Sequence, residues 1–234
     1  MTGLLDHTMM RVSDMEEAVD WYGTHLEYEE KDRHEAEDFT IVYMGPEGMG
    51  DDEAMLELTS NEGQDEVEMG DAWGHIAVRV RDLEAAYEGL MEDGVEDYRD
   101  PESCGGRYAF IKDPDGHEIE LVERSAGSPW SLDHTMIRVE DADEALGYWV
   151  RKFEHDETRR WEADSFANYF VEPSHASDAS MAVELTYNYD GRTYTDENGW
   201  GHLCVRVDDL HDDWEQLMVR EAPDDRDPAS CEDL

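Results

Sequence analysis

Seven side chains able to bind a metal stand out along the chain, six of them as pairs at one fixed spacing. His7, Glu57 and His75 return as His134, Glu184 and His202, each 127 positions on (134 − 7), and Glu120 supplies one further carboxylate. Imidazole mixed with carboxylate suits nickel, cobalt, zinc or iron better than calcium. Each of the seven lies in a run of alternating residues whose other face is apolar. Any one of them, taken singly, could be an ordinary strand residue facing solvent. A His-Glu-His set repeated at constant offset points instead to ligands. A carboxylate on an inner sheet face needs a partner, because burying it unpaired is costly, and one divalent cation would satisfy several at once. The remaining histidines, His25, His34, His117, His155, His175 and His211, do not recur and read as surface residues.

The elements that must carry these residues follow the same repeat. "DHTMMRV" from Asp6 meets "DHTMIRV" from Asp133, "ELTSN" from Glu57 meets "ELTYN" from Glu184, and "WGHIAVRV" from Trp73 meets "WGHLCVRV" from Trp200. A period this long indicates a duplicated globular domain rather than a solenoid. Within the first copy, His7–Val12 alternates as a half-buried strand. Ser13 with Glu16 forms a capping box, and Met15, Ala18, Val19, Tyr22 and Leu26 keep helical spacing. Strands follow at Thr40–Met44 and Ala54–Thr59. The order then restarts with a strand at His75–Val80 and a helix capped by Asp82 and closed by Gly94. Two more strands, near Arg107–Ile111 and His117–Val122, flank the turn "DPDG" at Asp113–Gly116. Each copy is therefore two β-α-β-β-β modules, an α+β architecture, with "RSAGSPWS" at Arg124–Ser131 as linker. The expected domains are residues 1–126 and 127–234.

Composition narrows the partners. The 234 residues carry 63 acidic against 18 basic side chains, a net charge of −45, and only three of the basic ones are lysines. Such acidity argues against nucleic acid and against anionic membranes. Periodic patterning throughout argues against disorder. The better account is adaptation to a salt-rich cytoplasm, where molar salt shortens the Debye length to about 3 Å and screens self-repulsion. No apolar run is long enough to span a membrane, and Met1–Asp6 does not open a signal peptide. Cys104, Cys204 and Cys231 are odd in number and without metal spacing, as expected of reduced cytosolic thiols.

The strand-helix-three-strand modules together with "HTMxRV", "ELTxN", "GHIAVRV" and "DPDGHEIELVE" resemble glyoxalase I, lactoylglutathione lyase, of the vicinal oxygen chelate superfamily. The resemblance covers nearly the whole chain, twice, and implies two domains forming a pseudo-dimer. It implies that ligands are shared between domains: His134 and Glu184 join His75 and Glu120, while His7 and Glu57 join His202. It also implies substrate contacts at Arg11, Asn61, Arg138 and Asn188. The expected reaction is isomerisation of a methylglyoxal–thiol hemithioacetal to an S-2-hydroxyacyl thioester, with Glu120 as base and Glu184 as second proton carrier. Two His plus two Glu, without long insertions, is similar to the bacterial members that prefer nickel or cobalt, with zinc behind them. The thiol is expected to be glutathione or γ-glutamylcysteine, and the chain a monomeric pseudo-dimer or a homodimer.

One departure stands out. The counterpart of Glu120 would fall at position 247, so the second domain is expected to lack its last two strands and its fourth ligand. Two rival readings remain. A CoA-ester epimerase or extradiol dioxygenase would build its site within one domain, from His7, Glu57, His75 and Glu120. A non-catalytic binding or resistance module would hold a small ligand in a metal-free cavity.

Overall fold

A computed structural model describes residues 3–207. Those residues hold three helices and thirteen strands, in the order β1 (Leu5–Arg11), α1 (Met15–His25), β2 (Tyr28–Glu35), β3 (Phe39–Pro46), β4 (Met55–Asn61), β5 (Trp73–Val80), α2 (Leu83–Glu92), β6 (Glu96–Arg99), β7 (Tyr108–Lys112), β8 (Glu118–Glu123), β9 (Leu132–Val139), α3 (Ala142–Phe153), β10 (His155–Glu162), β11 (Phe166–Pro173), β12 (Ala182–Asn188) and β13 (Trp200–Val205). The βαβββ module recurs as read from the sequence. The expected absence of two C-terminal strands falls on residues outside those described, as do His211 and Cys231.

The strands form two mixed sheets, and neither respects the boundary between repeats. One sheet runs β13-β1-β4-β3-β2. The other runs β10-β11-β12-β9-β5-β8-β7-β6. The larger sheet joins the second module of the first copy to the first module of the second, through antiparallel pairing of β5 with β9. Its counterpart pairing, β1 with β13, closes the smaller sheet.

Alternation decides what each strand presents. Leu56 and Leu58 on β4, Ile76 and Val78 on β5, Ile119 and Leu121 on β8 and Val183 and Leu185 on β12 are buried on one face. The helices cover that face, α1 against β3 and β4, α2 against β7 and β8, α3 against β11 and β12. Each such side chain contributes about 1.5–3 kcal/mol on burial. The opposite face of the same strands is left to the polar residues.

Some local details differ from the sequence reading. The cap of α1 is Asp14, not Ser13: its carboxylate accepts from the Glu16 and Glu17 amides. Ser13 instead donates its own amide to Asp115. The strands β2, β6 and β10 were not placed from the sequence, and their outward residues are almost all charged. Each lies at the edge of its sheet, where charge guards against further strand pairing. His117 and His155, expected at the surface, are 1% exposed. His155 Nε2 donates to the Gly3 carbonyl, 2.7 Å away. His117 sits between Asp113, which accepts from its backbone amide and contacts Nδ1 at 2.8 Å, and the Gly199 carbonyl. Tyr22 Oη from α1 donates to the same Asp113 at 2.9 Å. The "DPDG" turn thereby ties α1, β8 and the start of β13 together. No helix among the described residues is long and apolar enough to cross a membrane.

Candidate metal centre

The four central strands of the larger sheet each contribute one ligand candidate. In sheet order they are Glu184 on β12, His134 on β9, His75 on β5 and Glu120 on β8. The strand register brings them level: His134 lies opposite Ala77 and Ala182, and Ala77 lies beside Glu120. All four are buried, and one donor atom of each lies within 4.8 Å of all the others.

The spacing is tight. His75 Nε2 is 3.3 Å from His134 Nε2. Glu120 Oε2 is 3.1 Å from both imidazoles. Glu184 Oε2 is 2.9 Å from His134 and 3.9 Å from His75. Two imidazole lone pairs cannot face one another at such a distance without a proton or cation between them. Donors about an ion at about 2.1 Å sit roughly 3 Å apart when adjacent, which is the spacing here. Two imidazoles and two carboxylates fit a divalent cation by chemistry as well.

Charge is strongly coupled in this cluster. Burial opposes the Glu120 carboxylate, but hydrogen bonds from His134 and His75 outweigh it and lower its pKa to about 2. Burial likewise opposes a charged His134, yet hydrogen bonds to Asp133, Glu120 and Glu184 raise its pKa well above the ordinary value.

The smaller sheet assembles a second group from His7, Glu57 and His202. His7 Nε2 lies 2.9 Å from Glu57 and 3.1 Å from His202. Here the His202 side chain is 47% exposed, whereas its counterpart His75 is buried. The seven residues therefore split by sheet, four and three. His7 and Glu57 do not converge with His75 and Glu120.

The four-residue cluster opens into a cavity of about 630 Å³, which Arg138 and Asn188 also line. Arg138 anchors one guanidinium nitrogen on the Asp71 and Trp73 carbonyls across the repeat boundary, and Asn188 donates to Tyr194. Arg11 makes the equivalent reach to the Asn198 carbonyl, and Asn61 bonds Gln64, both on the smaller sheet.

The sequence reading missed what else surrounds this cavity. Arg99, Arg107, Arg124, Arg159 and Arg192 join Arg138 there, six arginines against three carboxylates, two of which are Glu120 and Glu184. In a chain of net charge −45, this is a local reversal of sign that favours an anionic guest. Phe110 and Phe170 wall the imidazoles edge-on, at ring centroid distances of 5.2 and 5.3 Å. These residues come from separated strands and loops, so no local motif announces them.

Comparison with known proteins shows the family and the fold. The Glyoxalase/Bleomycin resistance protein/Dioxygenase superfamily matches twice, over residues 4–121 and 131–230. The chain belongs to that superfamily. A lactoylglutathione lyase of Arabidopsis thaliana is 27% identical over 221 residues, covering 91% of this chain and 77% of its own. The lactoylglutathione lyase of Escherichia coli O157:H7 is 36% identical over 124 residues, which is 50% of this chain and 90% of the relative. The crystal structure of glyoxalase I from Zea mays shares the fold, with a TM-score of 0.83 at 23% identity, covering 92% of this chain and 78% of that one. Within the superfamily the chain is a tandem lyase of the glyoxalase I type.

Proposed function

We propose that the chain isomerises the hemithioacetal of methylglyoxal and an anionic thiol to the S-2-hydroxyacyl thioester, with a divalent metal held by His75, Glu120, His134 and Glu184. The observation that carries this reading is the convergence of one donor from each of four strands, two from either repeat, at the base of an arginine-lined cavity. An epimerase or dioxygenase site within one domain would need His7 and Glu57 beside His75 and Glu120, and those pairs lie in different sheets.

Bound at this centre, the metal supplies Lewis-acid stabilisation of the negative charge that develops on the substrate's two oxygens. Glu120, ionised and buried, takes the proton from the carbon bearing sulfur. Glu184, across the cluster, carries the hydroxyl proton from that carbon's oxygen to the neighbouring oxygen. The proton held by Glu120 is delivered to the neighbouring carbon, so the isomerisation closes with both carboxylates restored. Arg138 and Asn188 hold the thiol's carboxylate and amide groups, and Phe110 and Phe170 exclude water from the reacting carbons. Nickel or cobalt comes ahead of zinc for this donor set. Glutathione and γ-glutamylcysteine both offer the negative charge that the arginines call for. The units of duplication are residues 1–126 and 127–234, acting as a pseudo-dimer in the cytoplasm.

The test is thioester formation from methylglyoxal with each thiol, using protein stripped of metal and then reloaded with nickel, cobalt or zinc. No thioester with any combination would overturn the reading.

A further inference from the structure

Asp133 precedes His134 on β9, and neighbouring strand residues should point to opposite faces. A bulge breaks that rule here. The β5–β9 register runs Ala77 to His134 and then Val78 to Leu132, leaving Asp133 as the extra residue. Bulges re-aim side chains in this way. Asp133 Oδ2 consequently lies 2.9 Å from His134 Nδ1. Its other oxygen accepts from Arg79 Nε and Arg124 Nε, each at 3.1 Å. Arg79 is itself 3% exposed, and its remaining nitrogens donate to the Ala179 and Ser180 carbonyls. The carboxylate is thus clamped from behind before it meets the imidazole.

The smaller sheet repeats the device with the counterpart residues. Its β1–β13 register runs Leu5 to Val205 and then His7 to Cys204, so Asp6 is the extra residue. Asp6 Oδ2 lies 3.0 Å from His7 Nδ1, and Arg206 Nε donates to Asp6 Oδ1 at 3.0 Å. Arg206 and Asp133 stand 127 positions after Arg79 and Asp6. Each Arg-Asp pair bridges the two repeats, in opposite directions.

We infer that Arg79 and Asp133 are positioning residues that hold the His134 imidazole with its proton on Nδ1 and its Nε2 lone pair toward the cluster. This inference rests on the reading of that cluster as a metal centre. A carboxylate behind a ligating histidine fixes its tautomer and ring plane, and losing such a partner weakens metal affinity about 10- to 100-fold. A purely structural ion pair would cost folding stability and leave the affinity of the folded protein unchanged.

The full chain is titrated with zinc against a chromogenic chelator, as wild type, Asp133→Asn and Arg79→Lys, each checked for folding by a thermal melt. Asp133→Asn should bind zinc about 10- to 100-fold more weakly. Arg79→Lys keeps charge but loses the planar fork, and should fall between Asp133→Asn and wild type. Equal affinity in a folded Asp133→Asn protein overturns the inference while leaving the metal centre standing. Failure of the wild type to take up zinc, nickel or cobalt overturns the metal centre and the inference with it. If the variants do not fold, long-range nitrogen-15 correlation spectra of the zinc-loaded wild type decide: a proton on Nδ1 of His134 supports the inference, and one on Nε2 refutes it.

Discussion

Removing one hydroxyl from Tyr22 should loosen the junction between the modules. In Tyr22→Phe the ring stays and only Oη goes. That atom donates to Asp113 Oδ2 at 2.9 Å within a fully buried pocket. Asp113 also holds His117 through two contacts of 2.8 Å. A hydrogen bond to a charged acceptor contributes about 1.5–3 kcal/mol. The upper part of that range applies where no water can replace the donor. A chain of this size shifts by about 2–4 °C per kcal/mol, so the variant should melt about 3–12 °C below wild type in molar potassium chloride. A shift under about 1 °C would refute the reasoning. The same cluster carries a pH signature. Burial opposes charge on His117, but attraction to Asp113 outweighs it and raises the pKa above the ordinary value. Its charged form therefore contributes full stability below about pH 6.5, and the contribution is lost as pH rises through the raised folded pKa. The gap in melting temperature between wild type and His117→Gln should be widest below pH 6.5 and narrow on the alkaline side. A gap that widens with rising pH would show that Asp113 is not the dominant influence on His117.

Other outcomes follow from the centre and from the charge. Glu120→Gln and Glu184→Gln should each lower turnover by about 10²- to 10⁴-fold, the range for losing a proton-transfer group, while Glu57→Gln keeps most of it; steady-state rates showing the reverse order would mean that the active site is built within one repeat. Elemental analysis should find about one tightly held divalent metal per chain, removed by chelator together with activity; full activity in metal-free protein would end the metal-centre reading. Melting temperature should climb from dilute to several molar potassium chloride, with loss of structure or activity below roughly half-molar salt, because screening relieves the repulsion of a −45 chain; a flat curve would remove salt adaptation as the reason for the acidity.

Much of this was legible in the sequence where period and repetition coincide. The runs around His75, Glu120, His134 and Glu184 keep enough alternation to be read as strands, because one face is packed under helices and the other faces the cluster. The offset of 127 then pairs the residues across copies. Where burial is one-sided or absent, the signal fades: β2 reads "YEEKDRHE", with almost nothing apolar to set a period. His117 was misjudged because its one local partner, Asp113, is completed by distant groups: the Gly199 carbonyl closes the other side of the ring, and Tyr22 of α1 packs in through Asp113. Asp133 and Arg79 escaped for a different reason. A bulge interrupts the period of two at the very residue that matters, so strand alternation assigns Asp133 to the wrong face. The constant offset was the signal that could have found them, since it relates both members of each Arg-Asp pair.

The two sheets also differ in how far apart their strands lie along the chain. Every strand of the eight-stranded sheet comes from the continuous stretch 73–188, with all four cluster residues inside it. The five-stranded sheet must instead join β1 to β13, and His7 meets His202 across 195 positions. Closing so long a loop costs entropy before any contact rewards it. During synthesis, where chains fold from the N-terminus as segments emerge, the sheet bearing the four-residue cluster can assemble as soon as β12 has left the ribosome. The first module, although made earliest, has to keep the edge of β1 unpaired until β13 arrives.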